Sequence, residues 1–480
     1  MIERKIGDRI AREIYRDPDY LDDPVLVDYV QSIWDALLGA AKKRGDLSPD
    51  LEDRFAWRLF IAKDPTVNAF ALPGGYMGIH TGLIAMSNHR AEIAAVLAHE
   101  LSHVTQRHIA RGYAQQNRQQ PLVLAAMLLG AATITKNPEL ANAAIVGGQA
   151  AAIQSQLNYT RDMEREADRV GYGILTQANF EAAGMVSMFE LLAQANRIND
   201  NGNFPYLRTH PLTGERIAEA SSRVSNDHAP TTLNKDPLAG MMAVRARILS
   251  GTGVDTWRSV SLQAQSLEFS EWPLERKLSS LYGATLASHK LRENTLAQEQ
   301  YVRLVRLLQT PVQISPEVAH VITLLGVEIE LHESGQTTSS STLTARAKAL
   351  SLNASSSEFS TFKRSATLWF AQAQLALGQA RALTEGLPTW LATHGSDAQA
   401  WRLLAQAHRA QQQEILAVRA DAEALSAEMD YAGALDRLRA AQKLPGARNL
   451  DHFDQSILQS RIRSISEMQR SQVDDEKLLK

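Results

Sequence analysis

The chain has 480 residues, with 50 Lys and Arg against 53 Asp and Glu, a formal net charge of −3, and no cysteine. A hydrophobic fraction of 44% with 21% charged residues is that of an ordinary globular protein and excludes a disordered one. The charge balance gives no basic footprint for nucleic acid, and the missing cysteines exclude disulfides, thiol catalysis and thiolate metal sites while remaining compatible with an oxidising compartment.

Residues 1–65 read as helices, with Ile6, Ile10, Ile14, then Val25, Val30, Ile33 and Leu37 at helical spacing and turns at Asp17-Pro18 and Asp23-Pro24. The opening Met1 to Gly7 is followed by no apolar stretch and is not a secretory leader. Residues 66–84 change character: Val67, Phe70 and Leu72 alternate before Pro73-Gly74-Gly75, which predicts a β-hairpin. Such a strand near a catalytic centre commonly takes up substrate backbone as an added strand, so Asn68, Ala69 and Phe70 are candidate substrate contacts. His80 is expected to be a strand residue and not a ligand.

The stretch Val96 to Val104 contains His99-Glu100-Leu101-Ser102-His103. On a helix, His99 and His103 project from one face and can grip one ion, while Glu100 stands about 100° further round, within reach of a water on that ion. Two imidazoles, an open coordination position and a carboxylate base make up a zinc hydrolase site. Ser87 and Asn88 offer N-caps, Glu92 suits the first turn and Gly112 is the expected stop. A third ligand is required. Glu164 and Asp168 share a helix face downstream; one can ligate while the other hydrogen-bonds a ligand histidine from behind.

Residues 113–158 hold two Ala-rich apolar runs around Lys136-Asn137-Pro138. They predict a helical hairpin packed on the domain, with a lid or a surface touching membrane or unfolded substrate as the sharper alternative. The longest apolar run, Leu122 to Ile134, is too short to span a bilayer. Residues 169–225 continue as helices, and His210, ahead of Pro211, lies in extended backbone. After a linker at 226–237, residues 238–480 are helical with short breaks. Trp369 and Trp401 stand about one tetratricopeptide repeat apart, and Asp430 to Pro445 fits the second helix of such a pair, although that phase does not follow from Trp401.

His-Glu-x-x-His followed by Glu164-x-x-Ala167-Asp168 resembles the M48 family of zinc metalloproteases, as do Asn68 to Ile84 and Thr209-His210-Pro211 with Glu215-Arg216. The resemblance covers residues 1–225 in detail. Beyond, it is architectural, to periplasmic members that attach tetratricopeptide repeats to the protease domain. It implies a mainly α chain with a zincin-like metalloprotease domain at 1–225 and an all-α solenoid after it. It further implies one zinc held by His99, His103 and Glu164, with Glu100 as base and Asp168 behind a ligand. His210 is implied either as a fourth ligand that gates the enzyme or, with Arg216, as a group that stabilises the oxyanion. Implied too are a periplasmic location with the leader removed, unfolded or misassembled outer-membrane β-barrel proteins as substrates, and the barrel assembly machinery as a partner of the repeats. The alternative is an adaptor or chaperone whose zinc site cleaves little.

Overall fold

The computed structural model describes residues 2–112, 114, 160–198, 204–227, 229–251, 253–311, 314–333, 341–354, 361–446 and 452–478. The predicted hairpin at 113–158 lies outside the described residues. Among them, no helix is long and apolar enough to cross a membrane.

The N-terminal region begins with α1 (Ile2–Arg16) and α2 (Pro24–Arg44). The start of α2 is fixed by Asp23, whose carboxylate accepts the Leu26 amide, and by Pro24 in the first turn; Gly45, at φ 80°, ends it in the left-handed conformation that only glycine adopts readily. After α3 (Pro49–Arg54) come β1 (Arg58–Ala62), β2 (Ala69–Leu72) and β3 (Tyr76–His80). The sheet order is β1-β3-β2. β2 and β3 form the expected antiparallel hairpin, turning through Gly74 and Gly75 at φ 82° and 80°. The expectation of helix through residue 65 is corrected by β1. Trp57 takes a left-handed φ of 50°, and Arg58 to Ala62 then pair in parallel with the central β3. The helical pattern of α2 does not extend past that break.

α4 (Thr81–Met86) leads into α5 (Arg90–Thr105), which carries the His-Glu-x-x-His sequence. Its cap is His89, one residue beyond the expected Ser87 and Asn88: the His89 ring nitrogen accepts the Ala91 amide, and the buried Glu92 carboxylate reaches back to the Asn88 and His89 amides. α5 also stops short of Gly112. It ends at Thr105, Arg107 adopts a left-handed φ of 59°, and a further helical turn covers 108–112. Nearly every residue of α5 is buried.

The helix at 160–177 (α6), α7 (Ala183–Ile198), α8 (Pro205–Thr209) and α9 (Gly214–Asn226) complete the surroundings of α5. From Pro237 onward every described element is helical. Helices beginning at Lys363, Ala398 and Tyr431 are each followed by a partner helix, at intervals of about one tetratricopeptide repeat. Tyr431–Ala441 packs both on the helix before it, Glu414–Ala427, and on the helix after it, His452–Leu478. One apolar core joins Ile33 of α2, Val96 of α5, Tyr282 and Trp369. The final helix, His452–Leu478, returns to α1 through Lys5–Asp475 at 2.7 Å and Arg12–Glu476 at 3.0 Å.

Candidate metal centre

α5 supplies three residues to the site. Successive helical turns stack His99 over His103, and Nε2 of each faces the same point, 3.0 Å apart. α6 crosses α5 closely: a Cβ on Gly171 would meet the backbone of Ala98 and His99 at 3.1–3.2 Å. That approach brings Glu164, one face up the same helix, to the histidines. Its Oε2 lies 3.3 Å from His99 Nε2 and its Oε1 lies 3.3 Å from His103 Nε2. The short helix α8 ends at His210, whose ring stacks on Tyr206 with centroids 4.8 Å apart. His210 Nδ1 stands 3.0 Å from Glu164 Oε1 and 3.4 Å from His99 Nε2.

Four donor atoms from His99, His103, Glu164 and His210 thus converge within 4.8 Å of one another. Ligands about 2.0–2.1 Å from a tetrahedral ion stand about 3.3–3.4 Å apart, which is close to the spacing found here. The electrostatics point the same way. Burial pulls the His99 imidazole down, but the hydrogen bonds to Asp168 and Glu164 outweigh it and hold it at about 10. Burial would raise Glu164, but bonds from His103, His210 and His99 hold its carboxyl far below the usual range. For His103 burial wins and its imidazole is lowered. The carboxylates therefore favour positive charge at the convergence point, which a divalent cation supplies. Glu100 Oε1 and Glu164 Oε2 are moreover buried without an aligned hydrogen-bond donor, although Arg216 Nη1 is 3.0 Å from the latter. Neutral imidazoles with a carboxylate form a donor set suited to zinc, and the group is consistent with one metal ion.

Asp168, one turn beyond Glu164, lies 2.9 Å from His99 Nδ1, the nitrogen facing away from the site. Arg216 of α9 donates to both Asp168 oxygens, at 2.7 and 2.8 Å, and to the Pro211 carbonyl at 2.9 Å. Burial pushes Asp168 up, but these partners outweigh it and hold it at about 2. Arg216 is itself buried, so its guanidinium stands behind the ligand shell, on the carboxylate that holds His99. Glu100 is buried beside the cluster, its Oε1 3.4 Å from His210 Nε2. Asn68, Ala69 and Phe70 lie at and in β2, which has β3 on one side and packs against α5. His80 ends β3 and bonds Thr66 through Nδ1 at 3.0 Å, apart from the cluster.

The sequence reading passed over His108 and Arg111, and Glu166, its next candidate for a ligand after Glu164, stands outside the cluster and meets these two. His108 Nδ1 sits 2.8 Å from His103 Nδ1, its Nε2 is 3.0 Å from Glu166 Oε2, and Arg111 donates to the same oxygen at 2.7 Å. Burial pushes the His108 imidazole down to about 4. The i, i+5 spacing of His103 and His108 fits no helical template, so only the turn at Arg107 could have revealed the contact.

Residues 39–224 match Peptidase family M48. The beta-barrel assembly-enhancing protease of Escherichia coli (strain K12) is 26% identical over 461 residues, which is 96% of this chain and 88% of the relative. That of Yersinia pestis is 28% identical over 464 residues, with the same coverage. A relative from Vibrio cholerae is 33% identical over 301 residues, 62% of this chain, and the match spans 59% of that relative's own length. With its two helical histidines and the glutamate of α6 all in place, the stretch 39–224 is that of a peptidase of family M48.

Proposed function

We propose that the chain is a periplasmic zinc endopeptidase that removes unfolded or misassembled outer-membrane β-barrel proteins, with His99, His103 and Glu164 holding the ion and Glu100 as general base. The observation that carries this reading is the convergence of four donor atoms, two of them on the buried helix α5, at close to tetrahedral spacing. When bound, zinc supplies a Lewis acid that polarises the scissile carbonyl and acidifies a water. Glu100 takes the water proton on its unpartnered Oε1 and passes it to the leaving amine. Asp168 fixes the His99 ring and its proton, and Arg216 fixes Asp168. Substrate backbone adds to β2, an edge strand among the described residues, beside Asn68, Ala69 and Phe70.

His210 gates the site. Its Nδ1 lies among the ligand atoms and its Nε2 faces the base, so as a fourth ligand it closes the open position. Support for the substrate class and for a barrel assembly partner bound by the helical array comes from what the bacterial relatives are called.

Cleavage of an unfolded β-barrel precursor by the wild type and by Glu100→Gln, both with zinc content measured, tests the proposal. A loss of about 100-fold or more is expected, from the share general base catalysis carries. Equal rates would leave only an adaptor or chaperone role.

A further inference from the structure

We propose that His108 is a positioning residue for the metal ligand His103, relaying to it the negative charge of Glu166. The inference rests on the metal-site reading above and goes beyond it in assigning the groups behind the second histidine.

The proton positions follow from the distances. His103 Nε2 faces His99 and Glu164, so it is the nitrogen able to ligate, and as a ligand it carries no proton. The His103 proton therefore sits on Nδ1. That atom is 2.8 Å from His108 Nδ1, a separation that requires one donor and one acceptor, so His108 accepts. Acceptance at Nδ1 leaves the His108 proton on Nε2, which donates to Glu166 Oε2 at 3.0 Å. Arg111 donates to that same oxygen at 2.7 Å. Each donor has an acceptor and no two protons compete.

The arrangement mirrors the one behind His99. There a carboxylate, Asp168, meets the ligand directly and is forked by Arg216. Here a carboxylate meets the ligand through one intervening imidazole and is held by Arg111. Both carboxylates come from α6, two residues apart, so one helix orients both histidines of α5. The local fold is built for the contact. On a continuous helix, residues five apart point about 140° away from each other. The left-handed Arg107, a conformation disfavoured outside glycine, breaks α5 and swings the His108 ring back to His103, edge to face with centroids 4.8 Å apart. His108 is 4% exposed.

A histidine that merely satisfied a surface Arg–Glu pair would affect stability and leave the metal untouched. The test uses the full chain and measures zinc affinity by chelator competition, with the visible absorption of the cobalt-substituted protein. His108→Ala is expected to weaken zinc binding about 10- to 100-fold, the effect of losing such an outer partner, and to shift the cobalt bands. His108→Asn, whose Oδ1 can accept from His103 Nδ1, is expected to recover part of the affinity, and Glu166→Gln to fall between. If the Ala variant does not fold, the Asn and Gln variants carry the measurement. Wild-type affinity and spectrum in the His108 and Glu166 variants, with His103→Ala impaired, would overturn the relay alone. Wild-type affinity in His103→Ala would sink the metal reading, and the relay with it.

Discussion

Replacing His210 with Ala removes the one donor of the metal cluster that, among the described residues, lies outside α5 and α6. Three donors stay on two packed helices, with His99 and Glu164 buried, so the ion is expected to remain. The imidazole is held where it is by a few contacts. Nδ1 is 3.0 Å from the Glu164 carboxylate, and the ring stacks on Tyr206 at 26°. With zinc bound, Nδ1 is a ligand without a proton and gives Glu164 no hydrogen bond, so the bond to the ion takes the place of that contact, and the stack on Tyr206 adds about 0.5–1.5 kcal/mol beyond burial. The 3.4 Å contact with Glu100 is too long to add much. The stack alone sets an open fraction of about 1 in 3 to 1 in 14 at rest, and the bond to the ion lowers it further. His210→Ala should then cleave an unfolded reporter substrate about 10-fold faster than wild type or more, with both proteins zinc-loaded, and should cleave itself on storage. The assay is the initial rate by gel and the intact mass over time. A zinc-loaded His210→Ala protein at or below the wild-type rate would refute the gate and leave His210 a role in stabilising the oxyanion.

Two further predictions concern the contacts that tie the helical array to the N-terminal region. Arg245 is fully buried and forks Asp23 at 2.6 and 2.7 Å while reaching Glu328 at 2.9 Å. Arg245→Ala removes the cation from two buried carboxylates and should lower the unfolding free energy by about 3–5 kcal/mol in a denaturant titration, a loss under 1 kcal/mol counting against it. Asp28 is buried on α2, and burial pushes its carboxyl up to about 7, against the opposing hydrogen bonds from Ser365. Its folded value lies above its unfolded one, so the folded state holds the proton longer, and stability falls as pH rises from about 4 to about 7, by about 4 kcal/mol at most. Asp28→Asn should therefore gain on wild type in melting temperature between pH 5 and pH 8; a gap that does not change with pH would refute the assignment.

The parts of the site that could be read in the sequence are those whose geometry a single helix dictates. His99 with His103, and Glu164 with Asp168, are each four residues apart, and four residues on a helix fix a shared face whatever the tertiary structure does. The hairpin was legible for a similar reason, since Gly74 and Gly75 adopt backbone angles that other residues resist. β1 was not, because five residues of mixed character do not outweigh the helical pattern before them until the central β3 pairs with them. His108 was not, because its contact depends on an arginine in a conformation arginine rarely takes.

The attachment of the array depends on spatial proximity alone. The helix Lys363–Ala376 begins without a side-chain cap of its own. Its free Ser365 amide is accepted at 2.8 Å by Asp28, which lies on α2, and the Ser365 hydroxyl donates to the same oxygen at 2.5 Å. A cap is ordinarily sought within three residues of a helix start, and this one is 337 residues away. Arg364, beside it, bridges Asp22 at 2.8 Å to Asp397 at 3.0 Å. The run Asp22-Asp23-Pro24 reads in the sequence as a turn, and Asp23 serves as the N-cap of α2. The same run also anchors Arg245 and Arg364 of the array, while α2 packs on the metal helix α5. Local pattern could identify the first duty of those aspartates and had no means of identifying the second, because a carboxylate already satisfied by a helix start gives no sign that it needs a distant arginine.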